Sequence, residues 1–265
     1  MKKKTILDIL DMKKTGDKIT MLTAYDFVMA SIMDEAGTDL LLVGDTMGMV
    51  VHGNPTTLPV TLEDSIRHTQ AVARGAKQSM VIGDLPFGTF QVSAEEAVRN
   101  SIKLVKIGNA EAIKLEGGSE RCTAVQGILD AGIPVMGHLG LTPQSIHKFG
   151  GFKVQGRTEE TAKLLIEESK KLEEAGIFSL VLEAIPWKVA KKITESISIP
   201  TIGIGAGPYC DGQVLVTYDM LGYFDFKAKF VKRYLNLKEQ ILKAIKEYNQ
   251  EVREGKFPDI SYSYD

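Results

Sequence analysis

The regular return of short apolar runs is the feature that most constrains how this chain can fold. Eight such runs stand at residues 19–23, 40–45, 80–84, 112–116, 134–138, 180–183, 200–205 and 213–216. Each has the length and composition of a strand that is buried on both faces. Strands of this kind need a covering layer on each side, so the pattern predicts a parallel sheet with helical connections.

The segments between these runs carry helix start and stop signals. Thr61 with Asp64, and Ser93 with Glu96, have the spacing of a capping box. Glycines that suit a helix C-terminus follow at Gly37, Gly108, Gly132 and Gly176. Strand and helix therefore alternate along the chain, as in eight βα units with right-handed crossovers.

Eight consecutive βα units close most simply as one (β/α)8 TIM barrel, and this α/β fold is our prediction, with a single domain over residues 1–265. A doubly wound open sheet is the alternative, because alternation alone does not show closure. Residues 5–14 look like an extra N-terminal helix that could cap the bottom of the barrel. Residues 227–254 look like a long final helix.

Charge and cysteine content exclude several classes of protein. The 32 basic and 34 acidic side chains give a formal net charge of −2, which lacks the electrostatic footprint of a nucleic-acid or anionic-membrane binder. Cys122 and Cys210 lack the spacing of a thiolate metal site or a disulfide framework. Asp8, Asp11 and Lys13 interrupt any apolar signal-peptide core. We therefore expect a soluble protein of a reducing compartment, the cytoplasm.

Polar residues gather where the predicted strands end. The set consists of Asp45, Asp84, Lys114, Glu116, His138 and Glu183. In a parallel barrel these positions lie on the C-terminal face, which hosts the active site in this fold. Carboxylates without thiolates suit a hard cation, and Mg²⁺ is the default choice.

Each of these residues also has a purely structural interpretation. Asp45 and Asp84 could cap turns, Lys114 could merely neutralise Glu116, and His138 could be a buried histidine with satisfied hydrogen bonds. Lys114 and Glu116, however, stand two apart on one strand and so share a face. That spacing places a fixed cation beside an anion in the barrel mouth, and the set as a whole predicts an active site.

Two glycine-rich segments give weaker signals. The run GIGAG at residues 203–207 resembles a phosphate-binding loop, but Pro208 interrupts the motif and a simple tight turn is favoured. Residues 137–157 form a long glycine-rich stretch with Lys148, Lys153 and Arg157. A connection of that length in a compact domain is typical of a lid or a binding loop.

Four long motifs resemble one enzyme family. They read LPVTLEDSIRHTQAVARG, DLPFGTFQVSAEEAVRN, IKLEGG and GHLGLTPQS, and the likeness extends from about Thr20 to Gly222. The sequence is similar to the ketopantoate (3-methyl-2-oxobutanoate) hydroxymethyltransferase family. That resemblance implies Asp45 and Asp84 as Mg²⁺ ligands, with Glu116 in or next to the metal shell.

The resemblance also implies roles for the other residues at the strand ends. Contacts to the 2-oxo acid are implied for Asp45, Thr46, Asp84 and Lys114. Thr46 stands where we expect serine in many relatives, and it keeps the hydroxyl group. Glu183 is implied as the catalytic base, and His138 could hydrogen-bond the new hydroxymethyl group.

The implied reaction moves a hydroxymethyl group from 5,10-methylenetetrahydrofolate to 3-methyl-2-oxobutanoate and gives 2-dehydropantoate (ketopantoate), a step of pantothenate biosynthesis. Mg²⁺ would stabilise the enolate that forms when the C3 proton leaves. The family further implies a homo-oligomer, commonly a decamer. No nucleic-acid or membrane partner is expected.

Two other functions are open at this point. One is another Mg²⁺-dependent barrel enzyme for 2-oxo acids, of the phosphoenolpyruvate mutase and isocitrate lyase type. Those enzymes typically place a reactive cysteine in a lid loop, and neither Cys122 nor Cys210 lies in such a setting. The other is a barrel used as a binding module without catalysis. Metal-dependent exchange of the C3 hydrogen of 3-methyl-2-oxobutanoate separates the three.

Overall fold

The fold is a closed barrel of eight parallel strands that pair in sequence order. The computed structural model describes residues 2–225 and 228–264. The strands are β1 Ile19–Thr23, β2 Leu40–Val43, β3 Met80–Asp84, β4 Ala112–Lys114, β5 Val135–Gly140, β6 Ser179–Glu183, β7 Thr201–Ile204 and β8 Gly212–Leu215. Because β1 pairs with β8 as well as with β2, the predicted TIM barrel is confirmed and the open sheet is wrong.

Helices connect most of the strands. They are α1 Ile6–Thr15, α2 Phe27–Glu35, α3 Met47–Val50, α4 Leu62–Gly75, α5 Ala94–Lys106, α6 Cys122–Asp130, α7 Ile146–Phe149, α8 Glu159–Glu174, α9 Trp187–Ser196, α10 Thr217–Leu221 and α11 Leu237–Arg253. Short 3₁₀ turns occur at Ser119–Arg121, Pro143–Ser145 and Ile260–Tyr262. Within the described ranges, no helix is both long and apolar enough to cross a membrane.

The first helix covers the N-terminal end of the barrel, as predicted. Thr5 and Asp8 form a capping box that starts α1, and Ile9 is fully buried among side chains of the barrel interior. Lys13 Nζ donates to the carbonyl oxygen of Ile199 at 2.9 Å and to Asp211 at 3.0 Å, just before β7 and β8. These contacts anchor the helix to the strand starts.

Alternation along the strands separates two apolar cores and directs the functional side chains inward. On β4, Ala112 belongs to the interior cluster, whereas Ile113 packs in the outer layer against the helices. Lys114 and Glu116 follow at the same two-residue spacing as Ala112. Both charged side chains are therefore directed into the barrel mouth, as the sequence predicts.

One connection differs from the eight expected βα units. Residues 205–211 join β7 to β8 without a helix in this described part of the chain. Gly205 and Gly207 have φ values of 63° and 83°, which a helix cannot contain. The segment turns at its glycines and is too short for a covering helix, in agreement with the tight turn predicted for the GIGAG run.

The described contacts divide the chain into two compact units, Met1–Val216 and Thr217–Asp265. The first contains the barrel, and the second contains α10, α11 and the last 3₁₀ turn. The single domain over residues 1–265 stays a prediction. The final helix begins at Leu237 rather than at residue 227, and residue 227 itself lies outside the described residues.

Candidate active site

The predicted polar residues converge at the C-terminal end of the barrel. Asp84, Lys114 and Glu183 are the last residues of their strands, His138 lies within β5, and Asp45 and Glu116 follow β2 and β4 by two residues. Relative exposure is 4% or less for Asp45, Asp84, Lys114, Glu116 and His138. A cluster of charges this deeply buried needs mutual compensation or a ligand.

Lys114 is the central cation of the site. Its Nζ donates to both carboxylate oxygens of Asp84, at 2.7 and 2.8 Å, and lies 4.0 Å from Glu116 Oε1. Burial alone would lower the pKa of Lys114, but the negative charges of Asp84 and Glu116 outweigh it and raise that pKa. The ammonium group is therefore a fixed positive charge.

Asp45 has no such cation of its own. Its Oδ2 accepts a hydrogen bond from Gln144 Nε2 at 3.0 Å, and its backbone N–H donates weakly to Asp84 Oδ2 at 3.4 Å. Burial and the charges of Asp84 and Glu116 raise the pKa of Asp45 well above its usual value. Burial also raises the pKa of Asp84, despite Lys114. The site therefore has an excess of negative charge.

This excess fits a divalent, oxygen-loving cation. Asp45, Asp84 and Glu116 are three buried carboxylates that lie close enough for the charges of Asp84 and Glu116 to raise the pKa of Asp45. In the part of the chain that the structure describes, no three His, Cys, Asp or Glu side chains form a complete metal cluster. A site with few protein ligands is the arrangement in which Mg²⁺ keeps water and substrate oxygens.

His138 lies between two carboxylates. Its Nε2 is 3.2 Å from Glu183 Oε2 and its Nδ1 is 3.5 Å from Glu116 Oε1. Neither contact has hydrogen-bond geometry, so both are electrostatic contacts. Burial would lower the pKa of His138, but the flanking carboxylates raise it to about 9. The raised pKa favours the imidazolium form of His138, whose charge lies close to both acids.

Glu116 differs from Asp45 and Asp84 because its surroundings stabilise the ionised carboxylate. Its Oε2 accepts the backbone N–H of Gln144 at 3.0 Å. Burial alone would raise the pKa of Glu116, but His138, Lys114 and this N–H outweigh it and lower that pKa. Glu116 therefore stays ionised between two cations.

Glu183 is less enclosed than its neighbours. The Glu183 side chain is 17% exposed, whereas the His138 side chain is 3% exposed. The next residue, Ala184, has a φ of 47°, which is costly for a residue with a Cβ. Gly140 lies so close to this turn that an added Cβ would come within 2.2 Å of the Glu183 carbonyl oxygen. The backbone is thus bent at the point where Glu183 enters the barrel mouth.

Thr46 follows Asp45 directly in the chain. Its hydroxyl shares a 2.7 Å hydrogen bond with the hydroxyl of Tyr25, which is buried. The side chain of Thr46 is half-buried. A hydroxyl held in this way can still offer hydrogen bonding to a small substrate.

Gln144 is a site residue that the sequence reasoning missed. Its side-chain N–H group donates to Asp45 and, at 2.9 Å, to the carbonyl oxygen of Leu85, while its Oε1 accepts from Gln91 at 2.9 Å. Together with the backbone bond to Glu116, it joins two of the buried carboxylates. Gln144 lies in the motif GHLGLTPQS, but a neutral amide carries no charge pattern that would mark it as a site residue.

A cavity of about 240 Å³ opens next to these residues. Glu116 and Gln144 line one side of it. The stretch predicted as a lid or binding loop contributes Thr142, Ser145, Lys148, Phe149, Gln155 and Gly156. We call this space the side cavity.

Solved structures of other proteins have a similar fold. A phosphonopyruvate hydrolase described as a complex with oxalate and Mg²⁺ has a TM-score of 0.63 at 12% identity, covering 99% of this chain and 92% of that one. A 2,3-dimethylmalate lyase, described as a PEP mutase/isocitrate lyase superfamily member, has a TM-score of 0.63 at 14% identity, with 97% and 91% covered. The fold and site define a (β/α)8 barrel with an acidic C-terminal mouth.

Sequence comparison identifies the family. The family model described as ketopantoate hydroxymethyltransferase matches residues 3–260, and the chain belongs to this enzyme family. A 3-methyl-2-oxobutanoate hydroxymethyltransferase from Clostridium kluyveri is 57% identical over 265 residues, covering 100% of this chain and 95% of that protein. One from Ignicoccus hospitalis is 54% identical over 262 residues, covering 99% of each.

Proposed function

We propose that the protein transfers a hydroxymethyl group from 5,10-methylenetetrahydrofolate to 3-methyl-2-oxobutanoate and so makes 2-dehydropantoate for pantothenate biosynthesis. The observation that carries the proposal is the buried arrangement of Lys114 with Asp84, and of His138 with Glu183, at one barrel mouth. The first pair suits an anionic 2-oxo acid, and the second suits removal of a proton. Relatives that are 52–57% identical carry the matching enzyme name.

The proposed metal is Mg²⁺, with Asp45 and Asp84 as ligands and Glu116 in or next to the metal shell. Bound there, the ion would supply positive charge to the 2-oxo acid oxygens and stabilise the enolate. Support comes from the uncompensated negative charge around Asp45. The hydrolase of similar fold, whose structure contains oxalate and Mg²⁺, offers a parallel for a small dianion and this metal.

Lys114 and Thr46 are the proposed contacts to the substrate carboxylate and ketone. The Lys114 ammonium group lies deep in the mouth and is already oriented by Asp84, so it loses little freedom when a second anion arrives. The Thr46 hydroxyl offers a neutral hydrogen bond. We propose that His138 meets the new hydroxyl group, since its ring lies between Glu116 and Glu183.

Glu183 is the proposed base, because its side chain is 17% exposed and is the most accessible carboxylate of the group. The C3–H bond breaks, its proton passes to Glu183, and its electron pair forms the enolate. A C–C bond then forms to the one-carbon unit, while both C–N bonds of that unit break and leave their electron pairs on nitrogen. Water supplies the hydroxyl oxygen, and the hydrogens from C3 and water end on that oxygen and the two nitrogens.

A lyase or mutase of the phosphoenolpyruvate mutase type is supported by fold alone, at 10–15% identity. Among the described residues that line the side cavity there is no cysteine. Cys210 is buried, and Cys122 begins α6 outside that lining. The reactive lid cysteine typical of those enzymes therefore has no counterpart in this lining.

The test uses the recombinant protein with Mg²⁺ and 3-methyl-2-oxobutanoate in D₂O, followed by NMR. We expect deuterium to replace the C3 hydrogen without the folate, and 2-dehydropantoate to form when 5,10-methylenetetrahydrofolate is added. Exchange without carbon transfer would favour another 2-oxo acid enzyme, and absence of both would favour a non-catalytic barrel. The cytoplasmic location and the decameric homo-oligomer are proposals that rest on the family resemblance.

A further inference from the structure

The side cavity adjoins the catalytic group but is distinct from the contacts proposed for the 2-oxo acid. Three loops form its walls, those after β3, β4 and β5, together with residues 161–168 of α8. Glu116 and Gln144 form its inner end, and Phe87 and Phe149 line it further out. A ligand in this cavity would therefore lie directly next to the reacting centre.

Arg121 lines the side cavity, and its guanidinium group contains a buried donor, Nε, without a partner among the described residues. Among the described residues its Nε has no hydrogen-bond acceptor, and the Glu120 carboxylate is too far away at 4.0 Å. The side chain packs over Gly117, where an added Cβ would come within 2.8 Å of Arg121 Cγ, and its guanidinium carbon lies 5.6 Å from the centre of the Phe90 ring. A buried, unpartnered donor is costly and indicates a missing acceptor.

Glu168 provides a fixed acceptor in the same cavity. Its carboxylate receives the backbone N–H of Ser119, the Ser119 hydroxyl at 3.1 Å and Lys171 Nζ at 3.0 Å. Gly118 allows this approach, because an added Cβ there would come within 2.2 Å of Glu168 Oε2. The wall thus combines an anchored carboxylate, a guanidinium and aromatic faces.

We propose that the side cavity binds the ring end of the one-carbon carrier, a flat nitrogen heterocycle with a carbonyl group and neighbouring N–H donors, as in a pteridine. Its carbonyl would accept from Arg121, its N–H groups would donate to Glu168, and Phe87 and Phe149 would cover its faces. This inference rests on the proposed function, which requires a second substrate.

The volume determines how much of the carrier fits. Pockets that enclose a whole drug-sized ligand are roughly 300–1,000 Å³, and the side cavity measures about 240 Å³. It therefore encloses the ring system and leaves the rest of the carrier outside. Lys148 is exposed at the rim, where it can meet a carboxylate of the protruding tail.

The test separates the two half-reactions. Arg121→Ala is expected to raise the KM for 5,10-methylenetetrahydrofolate by about tenfold or more, as expected for loss of a charged hydrogen bond. Its Mg²⁺-dependent deuterium exchange at C3, measured without the carrier, should stay at the wild-type rate. Phe87→Ala is the second variant, since this side chain is 48% exposed and we expect its removal to leave the fold intact. Arg99→Ala is the matched control, because Arg99 pairs only with Glu95 on the surface of α5.

Calorimetric titration with tetrahydrofolate completes the test. Weaker binding by the Arg121 and Phe87 variants, with normal binding by the Arg99 variant, supports the proposal. Unchanged tetrahydrofolate affinity in both cavity variants overturns it, as does a selective rise in the KM for the 2-oxo acid. If the wild-type protein itself fails to exchange the C3 hydrogen, the proposed function is wrong, and this result is separate from either outcome for the side cavity.

Discussion

Single residues decide the chemistry of the barrel mouth through their charges. Lys114 and His138 are two buried basic side chains that lie 4.0 and 3.5 Å from the same oxygen of Glu116, Oε1. Lys114 turns toward Asp84, whereas His138 turns toward Glu183. In the proposed mechanism, Asp84 with Lys114 would form the binding side of the site, and Glu183 with His138 would form the proton-transfer side.

Glu183→Gln tests that division on the proton-transfer side. The amide keeps the shape of the side chain and deletes the base, so we expect near-normal binding of Mg²⁺ and 3-methyl-2-oxobutanoate by calorimetry. The rate of C3 deuterium exchange should fall by about 10²–10⁴-fold, the usual contribution of a positioned base. Glu167→Gln on the exposed face of α8 is the control. Exchange at the wild-type rate would move the role of base to another group, with His138 the next candidate.

Gln144→Ala tests the binding side. The substitution removes the donor that orients Asp45, and side chains that orient a metal ligand typically change metal affinity by about 10–100-fold when lost. We expect at least a tenfold weaker Mg²⁺ affinity by calorimetric titration. Gln126→Ala is the control, because that amide bonds only to the exposed Asp130. Unchanged Mg²⁺ affinity in Gln144→Ala would contradict the orienting role.

At the scale of elements, one carboxylate ties α2 to the start of β3. Asp34, near the end of α2, accepts the backbone N–H groups of Gln78 and Ser79 at 2.8 and 2.7 Å. Burial opposes the charge, but these N–H donors outweigh it and lower the pKa of Asp34 below 3.8. The charge therefore stabilises the folded protein above the unfolded pKa, and this contribution is lost as the pH falls through the lower folded pKa.

Asp34→Asn isolates that charge. At pH 7 we expect the free energy of unfolding to fall by about 1 kcal/mol, the difference between charged and neutral hydrogen bonds. The difference from wild type should close as the pH falls below 3.8. Urea unfolding at several pH values measures both effects. Asp11→Asn is the control, since Asp11 makes only an exposed pair with Lys14. If the difference in free energy of unfolding between wild type and Asp34→Asn stays constant with pH, the charge of Asp34 does not have this role.

The elements that the sequence predicts well are those that local rules determine. The strand runs, the capping box at Thr61, the N-terminal helix and the N-cap at Ser93 follow from periodicity and capping, although Glu96 does not complete a capping box with Ser93. Alternation of strand and helix predicts a helix between β7 and β8, but the described residues 205–211 form none, because this short segment turns at its glycines. The left-handed backbone of Ala184 and the hydrogen bonds of Gln144 depend on contacts between distant segments. No local sequence pattern predicts such contacts.

At the scale of the whole molecule, the fold and the family answer different questions. Structures that are 10–15% identical have the same barrel, but they are described with several different activities. Relatives at 52–57% identity share one enzyme name. The barrel therefore explains where the site lies, and the particular residues at its mouth determine which reaction is carried out there.

Concentrating acids at one end of the barrel should cost stability until a cation binds. Asp45 is 2% exposed, and its charge is opposed by burial, Asp84 and Glu116. Asp45→Asn removes one of the repelling charges and keeps the shape, so the metal-free variant should melt a few degrees above wild type, a change on the order of 1 kcal/mol. Wild-type protein should melt higher in Mg²⁺ than in EDTA, because the ion binds the folded state. Asp45→Asn should lose most of this Mg²⁺-dependent rise in melting temperature.

Differential scanning calorimetry in EDTA and in Mg²⁺ measures both effects, with Asp130→Asn on the exposed end of α6 as the control. The two effects have opposite signs in one variant, which a general loss of structure does not produce. A Mg²⁺-dependent shift of wild-type size in Asp45→Asn would show that Asp45 is not a ligand. A lower melting temperature in EDTA would show that its charge stabilises the empty barrel mouth, so that the excess negative charge is compensated by groups other than a metal ion.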